Sequence, residues 1–207
     1  MKSTIRWPVS LLFSPNMLKK VPQDSPLKDG LELIMQETIY CKRIIQDLLE
    51  FSRESEPNVA LADINVTIER VLRILENEFR LRHIHLEKHL ANDMPEILMD
   101  KNQIEQVLIN LLLNAIQAIE DQGVIIITSA QVPSEKCVTV AISDTGCGIP
   151  PEHMTKIFEP FFSTKAKGTG LGLAVSCGIA QKHQGRLYAA VAPTGKGTIF
   201  TLEIPML

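Results

Sequence analysis

No apolar stretch of this 207-residue chain reaches the ~20 residues that a helix needs to span a bilayer. The apolar run at residues 9–13 is too short and carries no small-residue cleavage site, so a secretory signal is set aside and a cytoplasmic setting is expected. Cysteine is scarce: the four at positions 41, 137, 147 and 177 show neither metal-ligand spacing nor a disulfide framework. Reduced structural thiols are expected rather than redox chemistry. Positive charge is not in excess either. With 21 Lys and Arg against 24 Asp and Glu, a net charge of −3 offers no broad basic field for nucleic acid. No G-x-x-x-x-G-K-[ST] run exists, and the glycine series at 168, 170 and 172 does not follow a strand, so the P-loop and the dinucleotide-binding fingerprint both fail. Internal repeats and low-complexity tracts are absent as well.

What the chain does have is apolar patterning, with 45% hydrophobic residues to fill a core. Over residues 27–53 the pattern is helical: Ile34, Cys41 and Leu48 fall seven apart, and Leu31, Thr38 and Ile45 make a parallel series. That is a helix with a partner-facing seam; the alternative is packing against the chain's own next domain. "RESEPN" ends it, because the residue before Pro57 is pushed out of the helical region. The chain thus divides into a helical segment over 1–56, a linker at 57–60 and a domain over 61–207. In the domain the patterning predicts a helix near 65–80, a strand near 83–89, a helix over 101–119, strands "GVIIITSAQV" and "KCVTVAISD", a helix near 171–183 and a closing hairpin of "GRLYAAVA" and "GTIFTLEI". His83 and His85 are expected to alternate on one strand face. Adjacent strands joined by a short turn argue for an antiparallel or mixed sheet with helices on one face, an α/β (α+β) sandwich rather than a doubly wound fold.

Four short motifs carry chemistry. The helix "QIEQVLINLLLNAIQAI" is apolar nearly all round and should be buried, yet Asn110 and Asn114 sit on it four apart, so both amides need polar partners. At ~100° per residue they point to one side, a geometry for holding hydrated Mg²⁺ and phosphates; satisfaction by backbone is the competing reading. In "SDTGCGIP", Asp144 ends an apolar strand and can accept from an exocyclic amine, while Gly146 and Gly148 let backbone approach a planar base. "IFEPFFSTKAKGTGLGLAV" brings phenylalanines, then Lys165 and Lys167, then Gly168, Gly170 and Gly172 opening a helix, so free N–H groups and a positive dipole end face an anion.

In this order and spacing, "NLLLNAIQA", "DTGCGIP", "FEPFFSTK" and "GTGLGL" resemble the N, G1, F and G2 boxes of sensor histidine kinases of two-component signal transduction, of the nitrogen-regulation-like type. The resemblance covers about residues 61–207 as the ATP-binding catalytic domain of the GHKL (Bergerat) type. "ETIYCKRIIQDLLEFSR" is similar to the second helix of the preceding dimerisation and phosphoacceptor domain, completing a helical-hairpin segment. The resemblance implies ATP and Mg²⁺ as ligands, with Asn114 on Mg²⁺, Asn110 assisting at the phosphates and a second candidate for the metal, and Asp144 reading adenine. Gly146, Gly148, Gly168, Thr169, Gly170, Leu171 and Gly172 complete the implied nucleotide contacts, and residues 158–170 would form the ATP lid. Lys165 and Lys167 are candidates for the phosphates by charge and position. Implied partners are a second copy of the chain and either a response regulator receiver domain or an intact histidine kinase.

The same resemblance bears on the opening of the chain. "STIRWPV" aligns with the family's acceptor pattern through Ile5, Pro8 and Val9, which puts Ser3 where the phosphoacceptor His stands and Thr4 at the adjacent acid. Pro15 would kink that helix further on. Ser3 has no neighbouring base, and the five histidines, His83, His85, His89, His153 and His183, all fall in the nucleotide-binding domain, where surface or sheet roles outweigh an acceptor role. Protein-histidine kinase activity is implied by resemblance, with in-chain autophosphorylation not expected; the alternative is a catalytically silent, dimerising pseudokinase. A GHKL ATPase or serine kinase fits less well. Those carry a Glu one turn before the metal-binding Asn, and Asn110 there cannot take a proton, while Glu105 lies on the opposite side of the helix.

Overall fold

The computed structural model describes residues 56–165, 168–192 and 195–206, together with positions 28, 30, 33–35 and 38. Its elements run β1 (Ala60–Ala62), α1 (Ile64–Leu81), β2 (Ile84–Leu90), β3 (Ile97–Met99), α2 (Lys101–Ala118), β4 (Gly123–Val132), β5 (Cys137–Asp144), α3 (Gly172–Lys182), β6 (Arg186–Val191) and β7 (Thr198–Pro205). The main sheet has the order β2-β4-β5-β7-β6. β2 and β4 are parallel and every other pair is antiparallel. A parallel pair needs a long crossover, and the chain supplies it through β3 and α2, which lays α2 against the sheet.

Alternation decides which face is covered. Ile125 and Ile127 of β4, Val138, Val140 and Ile142 of β5, and Phe200, Leu202 and Ile204 of β7 all point into the core. Their alternate neighbours, Thr128, Thr139 and Thr201 among them, are only partly buried on the opposite face. The three helices cover the apolar face. In α1 the residues Ile64, Ile68, Val71, Leu72, Leu75 and Phe79 form one buried stripe, and Asp63 caps the helix by accepting from the Asn65 N–H at 2.8 Å. α2 lies between α1, α3 and the sheet, which is why Ile104, Val107, Leu108, Leu111, Leu112, Ala115 and Ile116 are all buried.

The mixed sheet with helices on one face matches the sequence expectation, and the helices and strands predicted within residues 61–207 are found within a residue or two of their expected ends. Two details differ. His83 has φ 51° and closes the turn after α1, so the alternating set on β2 is His85, Glu87 and His89, not His83 and His85. The short ribbon β1–β3 was not foreseen, since three residues are too few to show a period; it pairs Ala60 with Met99, and Asn58 donates its N–H to Asp100 Oδ2 at 2.9 Å. Contacts with the domain therefore begin inside the span assigned to the linker. Of the seam residues, Ile34 is helical and 53% exposed in the single chain. Leu31, Cys41, Ile45 and Leu48, like Ser3 and Thr4, lie outside the described residues.

Candidate functional site

Each glycine-bearing motif abuts α2. Gly146 sits so close to the last turn of α2 that a Cβ there would stand 2.5 Å from the Ala118 carbonyl oxygen, and the Cys147 N–H donates to that same oxygen at 3.0 Å. Gly172 is held as closely to Asn110, where a Cβ would lie 2.5 Å from Oδ1. The loop between them reaches α2 through Lys165, whose Nζ donates to Asn114 Oδ1 at 3.0 Å and Gln117 Oε1 at 2.8 Å. At Gly146 the obstacle is backbone, so only glycine fits there, whereas at Gly172 it is the end of the Asn110 side chain.

The asparagine pair behaves less symmetrically than its spacing suggests. Four residues advance a helix by rather more than a full turn, and α3 packs over one of the two positions. Asn110 Nδ2 donates to Ser176 Oγ on α3 at 2.9 Å, whereas Asn114 presents its oxygen to the lysine of the loop. Glu105 is paired with Arg70 of α1 at 3.1 Å and is turned away from both.

Asp144, at the end of β5, is 2% exposed. Its Oδ1 accepts from the Gly146 N–H at 2.8 Å and the Thr198 N–H at 3.4 Å. Burial pushes this carboxyl above its ordinary range, while the two N–H groups and the Lys165 ammonium pull it down. Thr145 ties the turn to β4 by accepting from the Val124 N–H at 3.0 Å. Gly148 has φ 76°, a conformation that favours glycine.

The loop from Phe158 returns on itself before α3. The Phe161 N–H donates to the Gly170 carbonyl at 2.9 Å, with Phe161 at φ 67° and Gly170 at φ 67°. A bulky residue in the left-handed region is strained, and here Phe161 is also 67% exposed. Within the loop the Gly168 N–H donates to Lys165 O at 3.1 Å, and Thr169 Oγ1 accepts from the Leu171 N–H at 3.3 Å. Leu171 is buried and precedes Gly172, the first residue of α3. α1 and α2 begin with aspartate caps, but α3 begins with no side-chain cap bond, which leaves its first N–H groups available to an anion. Lys167 lies outside the described residues.

Three contributors escaped the sequence reading. Gln117 is three residues beyond Asn114 on the same face of α2, and spacing alone could have found it. Ser176 and the Gly197–Thr198 pair could not be found that way, because only the packing of α3 and the β5–β7 register bring them to Asn110 and Asp144. The Gly197 position lies against the Asp144 carbonyl so tightly that a Cβ would clash with it. The free thiols of Cys137, Cys147 and Cys177 make no disulfide among the described residues, and no group of three His, Cys, Asp or Glu side chains there could hold a metal. A depression of about 160 Å³ beside Glu135, Cys137, Arg186 and Glu203 contains none of the motif residues; Arg186 in its lining is bonded to Glu203, which also accepts from Tyr188.

Residues 99–207 match the family model described as "Histidine kinase-, DNA gyrase B-, and HSP90-like ATPase". The sensor histidine kinase ZraS of Escherichia coli (strain K12) is 36% identical over 189 residues, covering 91% of this chain and 40% of that protein. The chain thus spans less than half the length of this curated relative. The catalytic domain of histidine kinase ThkA, in a nucleotide-free form, superposes with a TM-score of 0.65 at 35% identity, over 72% of this chain and 97% of that domain. Histidine kinase ThkA in complex with the response regulator protein TrrA aligns with a TM-score of 0.76 at 30% identity, over 96% of this chain and 57% of that one.

Proposed function

Because the chain belongs to the histidine kinase-, DNA gyrase B- and HSP90-like ATPases and carries the catalytic domain of the sensor histidine kinases, we propose that it binds ATP with Mg²⁺ beside α2 and acts as the catalytic module of a two-component system. The observation that carries this reading is the convergence on one helix of an uncapped helix N-terminus, a buried carboxylate and a lysine ammonium held by two amide oxygens. Asp144 is assigned to the exocyclic amine of adenine, with Gly146 and Gly148 letting the ring lie against backbone. The N–H groups opening α3, with Gly168, Thr169, Gly170, Leu171 and Gly172 leading into it, are assigned to the phosphates, and Lys165 and Lys167 supply charge from the loop.

The donor set suits Mg²⁺, a hard cation that takes oxygen ligands: the Asn114 and Gln117 oxygens already attract the Lys165 ammonium. Asn114 is the residue assigned to the metal; Asn110, bonded to Ser176 of α3 through its nitrogen, keeps its oxygen for the phosphates or as a second candidate for the ion. When bound, Mg²⁺ would neutralise phosphate charge. Lys165 must leave Asn114 for that oxygen to face a metal.

The phosphoryl acceptor is assigned to a histidine on another chain, an intact kinase of the same family, because Ser3 and Thr4 stand at the acceptor and acid positions of the resemblance. A response regulator is the downstream partner, as in the ThkA assembly. A second reading, a nucleotide-binding regulator without phosphotransfer, follows from the same two positions. Radiolabelled ATP incubated with the protein alone, and then with an acceptor-bearing relative whose own nucleotide site is disabled, separates them. Acid-labile label on the relative supports a kinase module; nucleotide binding without label supports the regulator; acid-labile label on this chain alone refutes the assignment of the acceptor to another chain.

A further inference from the structure

Among the histidines, His183 has an environment that the site above does not use. It is 6% exposed and caps the C-terminal end of α3. Its Nδ1 lies 2.9 Å from the Ile179 carbonyl, one turn back on its own helix, and its Nε2 lies 2.9 Å from the backbone nitrogen of Asp100. A carbonyl can only accept and a backbone N–H can only donate, so the ring must carry its proton on Nδ1 and offer a lone pair at Nε2. Asp100 is the N-cap of α2: its Oδ1 accepts from the Asn102 and Gln103 N–H groups at 3.0 and 3.3 Å, and its Oδ2 accepts from the Asn58 N–H.

We propose that His183 is a positioning residue for nucleotide binding, acting through Asp100 to fix the start of α2 against the end of α3. The inference rests on the assignment of the nucleotide to α2 and α3 but extends it to a residue outside the four motifs. Hydrogen bonds tie the helices at both ends, Asn110 to Ser176 near the nucleotide and His183 to Asp100 at the far end. Apolar packing holds α2 in place without direction; directional bonds at both ends fix its angle more closely, and with it the places of Asn114 and Gln117 relative to the N–H groups that open α3. The Asn58 bond brings the entering chain to the same residue, so a pull on that segment is felt at the cap of α2.

Two substitutions separate this role from ordinary capping. His183→Gln places an oxygen at about the depth of Nε2 and can keep the Asp100 N–H satisfied, whereas His183→Asn reaches only the depth of Nδ1 and keeps the bond to Ile179 while losing Asp100. Mg-ADP affinity by calorimetry should fall about tenfold in His183→Asn and remain within about threefold of wild type in His183→Gln, the loss expected for one buried hydrogen bond. In the nucleotide-free protein, hydrogen exchange of the Asp100 amide should quicken at least about tenfold in His183→Asn alone. Long-range ¹H–¹⁵N spectra of the wild type should show the Nδ1–H tautomer, a readout that survives even if a variant fails to fold. Equal losses in both variants, or an Nε2–H tautomer, would overturn the proposal. Wild-type protein that binds no Mg-ADP would instead sink the nucleotide assignment, while the exchange and tautomer measurements would still decide the His183 bond.

Discussion

Replacing Asp144 by Asn tests the adenine assignment most directly, because it changes one oxygen for a donor with almost no change of shape. The wild-type carboxylate accepts the Gly146 and Thr198 N–H groups on Oδ1, and Oδ2 is the oxygen we assign to the base. An amide can keep the Oδ1 bonds only by turning its NH₂ toward the exocyclic amine, which sets donor against donor. A charge-assisted hydrogen bond is worth about 1.5 to 3 kcal/mol, so the nucleotide Kd should rise about 10- to 150-fold. Stability should not fall in step. Burial raises the carboxyl of Asp144, so ionisation at neutral pH costs the fold, and an amide removes that cost while weakening two N–H bonds; a net change within about 1 kcal/mol is expected.

The pH dependence follows with definite signs. With its value raised in the folded chain, Asp144 contributes stability that is fully present below the unfolded carboxylate range and is lost as pH rises through the raised value. Nucleotide affinity runs the other way, since only the ionised form accepts from the amine without competing for it: it should decline as pH falls through the raised value, and that decline should be absent in Asp144→Asn. Calorimetric titration of Mg-ADP across the acidic range, paired with thermal melts, checks both. An unchanged Kd in the variant, or affinity and melting temperature falling together, would refute the assignment of Asp144 to the base.

Gly146→Ala would force a methyl to within 2.5 Å of the Ala118 oxygen, and lifting the turn off α2 should cost about 1 to 3 kcal/mol in denaturant melts while also breaking the Cys147 bond. Steady-state ATP hydrolysis should be slow, because Asn110 cannot act as a base and Glu105 is held by Arg70; the missing general-base contribution is about 10² to 10⁴-fold, and a coupled phosphate-release assay giving a gyrase-like rate would overturn that reading. Ile45→Glu should weaken self-association in sedimentation, since a charge in an apolar seam has no partner there; a wild-type chain that is monomeric at high concentration would mean the seam packs internally.

Local rules settled much of this protein. Helix and strand periods are written into residues that touch their neighbours along the chain, and Asn114, Asp144 and the glycines announce themselves because their types are unusual on a buried helix, at a strand end and before a helix. Periodicity cannot say which helix packs over which amide. The spacing of Asn110 and Asn114 suggested a common task, and only the docking of α3 turned Asn110 to Ser176. Nor could the sequence put Thr198 beside Asp144, since the two are brought together by the β5–β7 register across more than fifty residues. His183 is the clearest case. In the sequence it is one histidine after a lysine, of a kind expected on a surface or a sheet; in the fold it is buried at a helix end, and its lone pair meets an N–H that begins another helix. A hydrogen bond between residues distant in sequence leaves no periodic trace, because its two ends are placed by the packing of separate elements and not by the chain between them.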